Sequence, residues 1–190
     1  MFLVHRYLFF VMWLGWLVYW ELAASNVKAT VRRESVRSRL AHVIPLLLAF
    51  ILLGARRVPL PYFNERFLPL AEWPFWLGAI MAAAGLLFAI WARGYLGGNW
   101  SGTVTLKQGH ELVTRGPYAM VRHPIYTGLL LALAGSAVAR AELRGILAVV
   151  LALWGLWRKL RLEERWMREQ FGETYEAYSR RVAALIPLVL

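Results

Sequence analysis

Long apolar blocks separated by short polar segments set the pattern of this chain. Block 2–24 is apolar except for His5, Arg6 and Glu21, and block 74–92 carries no charged residue. A helix needs about 20 apolar residues to cross the hydrocarbon core of a bilayer. Both blocks are therefore predicted to be transmembrane helices.

Two further apolar blocks, 125–138 and 143–157, lie in the second half of the chain. Between them the sequence is charged at Arg140, Glu142 and Arg144. Charged residues belong at the ends of membrane helices rather than in their middle. The pattern therefore predicts a hairpin of two transmembrane helices.

A shorter block, 40–54, is followed by a pair of arginines. It falls about one helical turn below a comfortable span, but Arg56 and Arg57 can extend along the apolar surface toward the interface. We count it as a crossing. The predicted fold class is all-α: a polytopic membrane protein with about five transmembrane helices.

Block 2–24 has a second interpretation, since a cleaved signal peptide also contains an apolar run. This run is longer than that of a signal peptide, its basic flank is weak, and no small-residue cleavage pattern follows it. We therefore interpret the block as the first crossing.

Composition and charge placement support a membrane protein. Hydrophobic residues make up 59% of the 190-residue chain, above the roughly 45–50% usual in soluble domains. With five crossings, sixteen Lys and Arg residues fall on one side and six on the other. The positive-inside bias then predicts an N-terminus outside and a cytosolic C-terminus, in the plasma membrane or a bacterial inner membrane. The net charge of +11 reflects this topology and attraction to anionic lipids, so we expect no nucleic-acid binding.

Several site classes are excluded or not indicated. The chain has no cysteine, which excludes disulfides, thiolate nucleophiles and cysteine metal sites. Its four histidines show no close metal-ligand pairing, so no metal is expected. The sequence also lacks a glycine-rich dinucleotide fingerprint and a phosphate loop with lysine.

The two halves of the chain differ in where polar residues occur. Residues 1–92 are predicted to form a scaffold of three crossings, since apolar segments without polar interruptions mostly contact lipid or other helices. Residues 93–190 are predicted to be the catalytic half of one integrated membrane domain. It begins with a polar cytosolic loop, 93–124, whose length of about thirty residues is typical of a functional segment.

The segment 115–128, RGPYAMVRHPIYTG, is a dense polar cluster that includes the end of this loop. A proline disfavours helical geometry in the residue before it but fits the first turn of a helix. We therefore predict that Pro124 opens the fourth crossing, with His123 at or near its N-cap and Arg122 beside it. A helix N-terminus attracts an anionic group such as a carboxylate.

The charged segment after residue 157 is predicted to leave the membrane. Residues 158–170 have helical composition with Gly172 as a stop, and 173–182 are predicted to form a second short helix. Both are expected to lie on the cytosolic surface as interfacial helices, with basic residues toward the lipid headgroups.

Three polar clusters, 105–113, 118–126 and 159–164, are predicted to meet on the cytosolic side. Each has a structural alternative: a helix cap for His123, an interfacial aromatic belt for the tyrosines, and surface ion pairs for the charged residues. Because all three lie at helix ends on one side of the membrane, we predict a pocket between the crossings.

Two stretches, LGGNWSGTVTLKQGHELVTRGPYAMVRHPIYTG and LEERWMREQFGETYEAYSRRV, resemble the isoprenylcysteine carboxyl methyltransferase family of integral membrane enzymes. That family is similar to the phospholipid N-methyltransferases. The resemblance covers roughly 94–187 and rests on Arg-His-Pro-x-Tyr, an apolar hairpin, and Glu-Glu followed by Phe-Gly-x-x-Tyr-x-x-Tyr. It implies methyl transfer from S-adenosylmethionine to a lipophilic acceptor, with S-adenosylhomocysteine as the product.

The resemblance also implies a set of cofactor-binding residues in the loop, at the start of the fourth crossing and in the C-terminal helix. These are His110, Glu111, Leu112, Val113, Tyr118, His123, Pro124, Ile125, Tyr126 and Glu163. Within this set, the resemblance implies that Glu163 pairs with the cofactor's amino group.

Where family members carry an arginine, this chain has Lys159, with Arg158 beside it. Arginine binds a carboxylate through two parallel hydrogen bonds, whereas lysine offers a point charge. The predicted catalytic residues are Lys159, Arg158 and Glu164. The predicted acceptor is an isoprenylcysteine-like carboxylate, which is ionised at neutral pH and needs no base. The alternative is a phospholipid amine, for which Glu163, Glu164 or His123 would act as the base.

A non-catalytic carrier or transporter subunit is a more distant alternative. Transporters place ionisable groups near the bilayer midplane and contain broken helices. In this chain the charged residues cluster at helix ends, and block 74–92 contains none. The pattern favours an enzyme that works at the membrane interface.

Overall fold

A computed structural model describes residues 2–24, 30–100, 104–107 and 111–187 of the chain. Within these ranges the chain is mostly helical and contains one two-stranded antiparallel ladder. In chain order the elements are α1 Phe2–Ala23, β1 Thr30–Arg33, α2 Val36–Gly54, α3 Glu72–Leu96, β2 Thr105–Lys107, α4 Pro124–Arg140, α5 Leu143–Phe171 and α6 Glu173–Ser179.

Each of the five predicted apolar blocks forms a helix, α1 to α5, which confirms a mostly helical fold. Among the described residues, α1, α2 and α3 are long and apolar enough to cross a bilayer, and α4 is a shorter apolar helix of 17 residues. The chain is a membrane protein. The pattern does not predict the ladder, because strands of four and three residues are too short to show an alternation.

Helices α3 and α4 pack against each other at glycines. Gly78 lies against Gly135, and Gly85 lies against Gly128. A Cβ added to Gly85 would lie 2.4 Å from the carbonyl oxygen of Gly128. Small residues let the backbones of membrane helices approach this closely. The contact holds the first turns of α4, and the segment that precedes them, against α3.

Helix α5 packs on α2 through a second close contact. A Cβ added to Gly155 would lie 2.9 Å from the carbonyl oxygen of His42. The fully buried Ala49, Ala148 and Ala152 belong to one core cluster that joins these two helices. Helix α5 is thereby held against α2 along its apolar part, which fixes the direction in which its charged part continues.

The charged break between α4 and α5 is confirmed, and the structure forms it as a tight turn. Arg140 donates hydrogen bonds to the carbonyl oxygens of Leu53 and Ala55, both at 2.6 Å, and Arg144 donates to Ala55 at 2.8 Å. The two guanidinium groups thus satisfy free carbonyl groups at the C-terminal end of α2. Glu142 balances part of their charge through an ion pair with Arg144.

The C-terminal segment differs from the prediction. Residues 158–170 are not a separate interfacial helix, because no proline or turn sequence interrupts α5 between Leu143 and Phe171. Gly172 ends this helix as predicted, with a φ of +50°, a left-handed conformation that glycine adopts without steric cost. Helix α6 ends at Ser179, earlier than predicted. The charged residues at the end of α5 therefore continue the same helix as its apolar part.

Candidate functional site

The start of α4 has the predicted geometry. Pro124 is the first helical residue, and His123 occupies the N-cap position without a side-chain capping bond. The backbone N–H groups of Arg122 and His123 donate to the carbonyl oxygens of Ala183 and Ala184, at 2.8 and 3.0 Å. The C-terminal residues therefore fold back over the start of α4 and hold it in place.

Four of the predicted site residues come together between α4 and α5. The Tyr126 hydroxyl donates to Glu163 Oε1 at 2.6 Å, and the His123 ring stacks parallel on Tyr126 with ring centroids 5.4 Å apart. His123 Nδ1 lies 3.6 Å from Glu163 Oε2. Lys159 Nζ lies 4.0 Å from Glu163 Oε1 and 5.3 Å from the Tyr126 ring centroid. One carboxylate is therefore shared by a phenol, an imidazole and an ammonium group.

Glu164 forms a second ion-pair network in the charged part of α5, which adjoins the first at His123. Its Oε1 accepts hydrogen bonds from Nε and Nη2 of Arg122, at 2.8 and 2.6 Å, and Arg168 Nη2 lies 3.4 Å from its Oε2. Burial by itself would raise the pKa of Glu164, but its contacts with His123 and Arg122 outweigh burial and lower the pKa to about 2. Glu164 is therefore ionised at neutral pH.

Arg122 and Tyr178 connect the start of α4 to the C-terminal residues. Arg122 Nη1 donates to the carbonyl oxygens of Ser179, at 3.0 Å, and of Val182. The Tyr178 hydroxyl donates to the Tyr118 carbonyl oxygen at 2.6 Å. Burial raises the pKa of Tyr178 to about 12, so the hydroxyl keeps the proton that makes this bond. Helix α6 is thereby fixed against the segment that opens α4.

These elements border a cavity of about 260 Å³, slightly below the range of about 300–1,000 Å³ for small-molecule sites. Part of its lining is polar and comes from the loop, the start of α4 and the charged part of α5. The other part is apolar and comes from α1, α2 and the apolar parts of α4 and α5. The polar part includes Asn99, Glu111, Tyr118, His123, Tyr126, Lys159 and Glu163, and the apolar part includes Trp16, Trp20, Leu46, Leu129 and Leu156. The cavity therefore offers polar and apolar surfaces side by side.

The structure brings most of the predicted site residues to this cavity. Those from the predicted cofactor set are Glu111, Leu112, Val113, Tyr118, His123, Ile125, Tyr126 and Glu163. Pro124 is buried at the helix start and does not border the cavity. Of the predicted catalytic residues, Lys159 borders the cavity, Arg158 is exposed, and Glu164 does not border the cavity but pairs with Arg122. His110 lies outside the described residues.

Tryptophans of α1 form a wall of the cavity that the apolar pattern does not predict. Trp16 and Trp20 stack with centroids 4.6 Å apart, Trp20 contacts Trp100 edge-on at 5.5 Å, and the Arg93 guanidinium lies 4.5 Å from the Trp100 ring centroid. Arg93 also donates to the carbonyl oxygen of Ala23, which ties the end of α1 to α3. An apolar block has no pattern that separates a cavity wall from a lipid-facing surface, so these residues could not be found from the sequence.

Three buried polar atoms on residues that border the cavity have no hydrogen-bond partner among the described residues. They are Trp16 Nε1, Asn99 Oδ1 and His123 Nε2. The last of these lies 3.4 Å from Glu164 Oε1, without the geometry of a hydrogen bond. All three atoms are themselves shielded from solvent, so they do not face the open space of the cavity.

Comparison with known proteins places the match mainly in the second half of the chain. A family model described as phospholipid methyltransferase matches residues 73–174. A probable protein-S-isoprenylcysteine O-methyltransferase of Oryza sativa subsp. indica is 35% identical over 81 residues, 42% of this chain and 42% of that protein. The protein-S-isoprenylcysteine O-methyltransferase of Schizosaccharomyces pombe is 36% identical over 81 residues, 42% of this chain and 34% of that protein. Each match thus covers less than half of the relative's length.

A third relative matches more of the chain. The cobalt-zinc-cadmium resistance protein CzcN of Cupriavidus metallidurans is 31% identical over 147 residues, 76% of this chain and 60% of that protein. The family model itself spans more than half of the 190 residues. The chain therefore belongs to the phospholipid methyltransferase family, and its relatives confirm the resemblance to the isoprenylcysteine carboxyl methyltransferases.

Proposed function

We propose that this chain is an S-adenosylmethionine-dependent methyltransferase that acts on a lipophilic acceptor at the cytosolic face of a membrane. The observation that carries the proposal is a single cavity bordered by Glu163 and Tyr126 on one part of its wall and by Trp16 and Leu129 on another. A polar donor and a hydrophobic acceptor have to meet at the interface, and a cavity with both kinds of surface can align them and exclude water. Membership of the family supports this function.

The residues around the cavity fit S-adenosylmethionine. Glu163 is a carboxylate suited to an ammonium group, the rings of Tyr118 and Tyr126 suit a cationic sulfonium, and the start of α4 attracts a carboxylate. When bound, the cofactor supplies an electrophilic methyl group on a good leaving group. The proposed cofactor set further includes Glu111, Leu112, Val113, His123 and Ile125, with Pro124 setting the start of the helix.

As the acceptor we propose an isoprenylcysteine-like carboxylate. Lys159 borders the cavity and supplies a positive charge for such a group, whereas Arg158 is exposed and leaves this role to its neighbour. A carboxylate oxygen is already ionised at neutral pH, so it can attack a methyl group directly and yield a neutral ester with no proton to remove. The relatives named protein-S-isoprenylcysteine O-methyltransferases support this acceptor.

An amine acceptor, as in phospholipid N-methylation, is the alternative, and the description of the family model supports it. An ammonium group must lose a proton before it can attack a methyl group. Glu164, with a pKa of about 2, is too weak a base for this step, and we propose that it anchors Arg122 instead. The base would then be Glu163 or His123, which both border the cavity.

The proposal includes the orientation in the membrane. Helices α1 to α5 would each cross, with the N-terminus outside and the cavity at the cytosolic ends of α4 and α5. The distribution of Lys and Arg supports this orientation. Residues 1–92 would act as the scaffold and 93–190 as the catalytic half, with α1 and α2 supplying apolar parts of the cavity wall.

Incubation of membranes that contain the protein with methyl-labelled S-adenosylmethionine tests the proposal. Label released as methanol by mild alkali identifies a carboxyl methyl ester, and alkali-stable label in the lipid fraction identifies an N-methyl product. Lys159→Ala should remove most of the label, whereas Glu173→Gln, an exposed site on α6, should retain it. No label, together with no stabilisation by S-adenosylhomocysteine, would refute the enzyme and favour the carrier.

A further inference from the structure

A second pair of ionisable side chains, Glu34 and His42, is buried behind the cavity wall. Glu34 lies between β1 and α2, and His42 lies in α2. Their side chains are 2% and 3% exposed, and Glu34 Oε1 lies 3.4 Å from His42 Nε2. Neither residue borders the cavity, yet burying a carboxylate costs free energy unless its partners compensate. The pair therefore needs a physical explanation.

Glu34 holds the residue that precedes β2. Its backbone N–H donates to the Val104 carbonyl oxygen at 3.1 Å, and its Oε1 accepts a hydrogen bond from the Val104 N–H at 3.2 Å. Val104 is 2% exposed and borders the cavity. One residue thus satisfies both backbone polar groups of Val104, directly beside the Arg33 and Thr105 pair of the ladder.

The same ladder is fixed to two helices. Arg32, in β1, donates to Glu169 at 2.7 Å and lies 4.3 Å from the ring centroid of Trp166, and both of these residues belong to α5. Glu34 follows in the chain and is held against α2 by His42. Strand β1, which pairs with β2, is therefore attached to α5 through Arg32. The residue that follows β1, Glu34, is attached to α2.

We propose that Glu34 is a positioning residue. With His42 beside its carboxylate, Glu34 fixes Val104, which itself borders the cavity, together with the start of β2. The inference rests on the proposed function, in which the cavity that Val104 borders binds the cofactor. Glu34 Oε2 is buried without a hydrogen-bond partner among the described residues, which costs stability.

The test compares Glu34→Ala with Glu34→Gln in detergent micelles, by hydrogen exchange and by calorimetric titration with S-adenosylhomocysteine. Glutamine keeps an oxygen that can accept from Val104, and alanine does not. We expect Glu34→Ala to speed exchange at 104–107 about tenfold and to weaken S-adenosylhomocysteine binding about tenfold. In Glu34→Gln, both the exchange rate and the affinity should lie within about threefold of the wild-type values. Glu173→Ala, at an exposed position on α6, is the matched control and should change neither.

Three results would overturn the inference. One is that Glu34→Ala fails to show both expected effects, with either unchanged exchange at 104–107 or faster exchange there without loss of affinity. Another is an equal defect in the alanine and glutamine variants. The third is faster exchange throughout α2, α3 and α5, since that would reflect general destabilisation. If the wild-type protein binds no S-adenosylhomocysteine, the proposed function fails, and the exchange data still decide whether Glu34 holds the segment.

Discussion

Replacing Glu164 by glutamine tests the ion-pair network that fixes the C-terminal residues to α4. The substitution preserves the shape of the side chain and an oxygen that can accept from Arg122, but it removes the negative charge. In the folded protein the pKa of this carboxyl is lowered from 4.5 to about 2. At about 1.36 kcal/mol per pKa unit, the ionised carboxylate stabilises the fold by about 3 kcal/mol. The side chain is 6% exposed, so solvent screens this energy little.

The direction of the shift determines the pH dependence. Because the pKa of Glu164 is lower in the folded than in the unfolded state, its stabilisation is fully present above pH 4.5 and is lost as the pH falls toward 2. The difference in unfolding free energy between wild type and Glu164→Gln should therefore be about 3 kcal/mol at pH 7 and about half as large near pH 3.

Thermal unfolding in detergent micelles, followed by far-ultraviolet circular dichroism, measures this difference. A loss of about 3 kcal/mol corresponds to a fall in Tm of roughly 6–12 °C for a chain of this size, and the fall should be smaller at pH 3. Glu173→Gln, an exposed carboxylate at the start of α6, should shift Tm by less than about 2 °C at either pH. A fall in Tm for Glu164→Gln that is equal at pH 7 and pH 3 would refute the reasoning.

Three further predictions concern the α3–α4 contact and the cavity. Gly85→Ala should lower the unfolding free energy by about 1–3 kcal/mol in the same assay, whereas Gly94→Ala, which has open space on the same helix, should be neutral or slightly stabilising. Glu163→Gln and His123→Ala should each weaken S-adenosylhomocysteine binding about tenfold in calorimetric titrations, and unchanged affinity in both would remove them from the cofactor site. Lys159→Ala should lower kcat/KM for the acceptor and keep the cofactor affinity within about twofold of wild type. A defect in cofactor affinity alone would contradict a role of Lys159 in binding the acceptor.

The helices could be predicted because the rules that form them are local. A long apolar block is enough to indicate a membrane helix, and a single residue, Pro124, is enough to indicate where α4 begins. The prediction failed at 158–170 for the opposite reason. The change from apolar to charged residues there predicts the end of a helix, but polarity alone does not end one, and α5 continues to Phe171.

The cavity could be predicted only in part, because half of its wall depends on contacts between distant residues. Motif residues such as Tyr126 and Glu163 are recognisable in the sequence and do meet. Trp16 borders the same cavity from α1, and no local pattern distinguishes it from the lipid-facing residues beside it. The contact of Glu34 with Val104 joins residues seventy positions apart, through a carboxylate that the sequence shows as one charge in a basic loop.

The adjacent carboxylates Glu163 and Glu164 have different surroundings, which the sequence alone does not distinguish. Successive residues of a helix are rotated by about 100°, so neighbours in the motif enter different surroundings. Glu163 meets Tyr126 at the cavity, whereas Glu164 is held by Arg122 and Arg168. Substitutions at the two positions should therefore have different effects. Glu163→Gln should weaken S-adenosylhomocysteine binding with little loss of unfolding free energy. Glu164→Gln should lower the unfolding free energy while the cavity keeps the Glu163 carboxylate. A single turn of α5 thus joins the proposed cofactor site to the C-terminal residues that hold the start of α4.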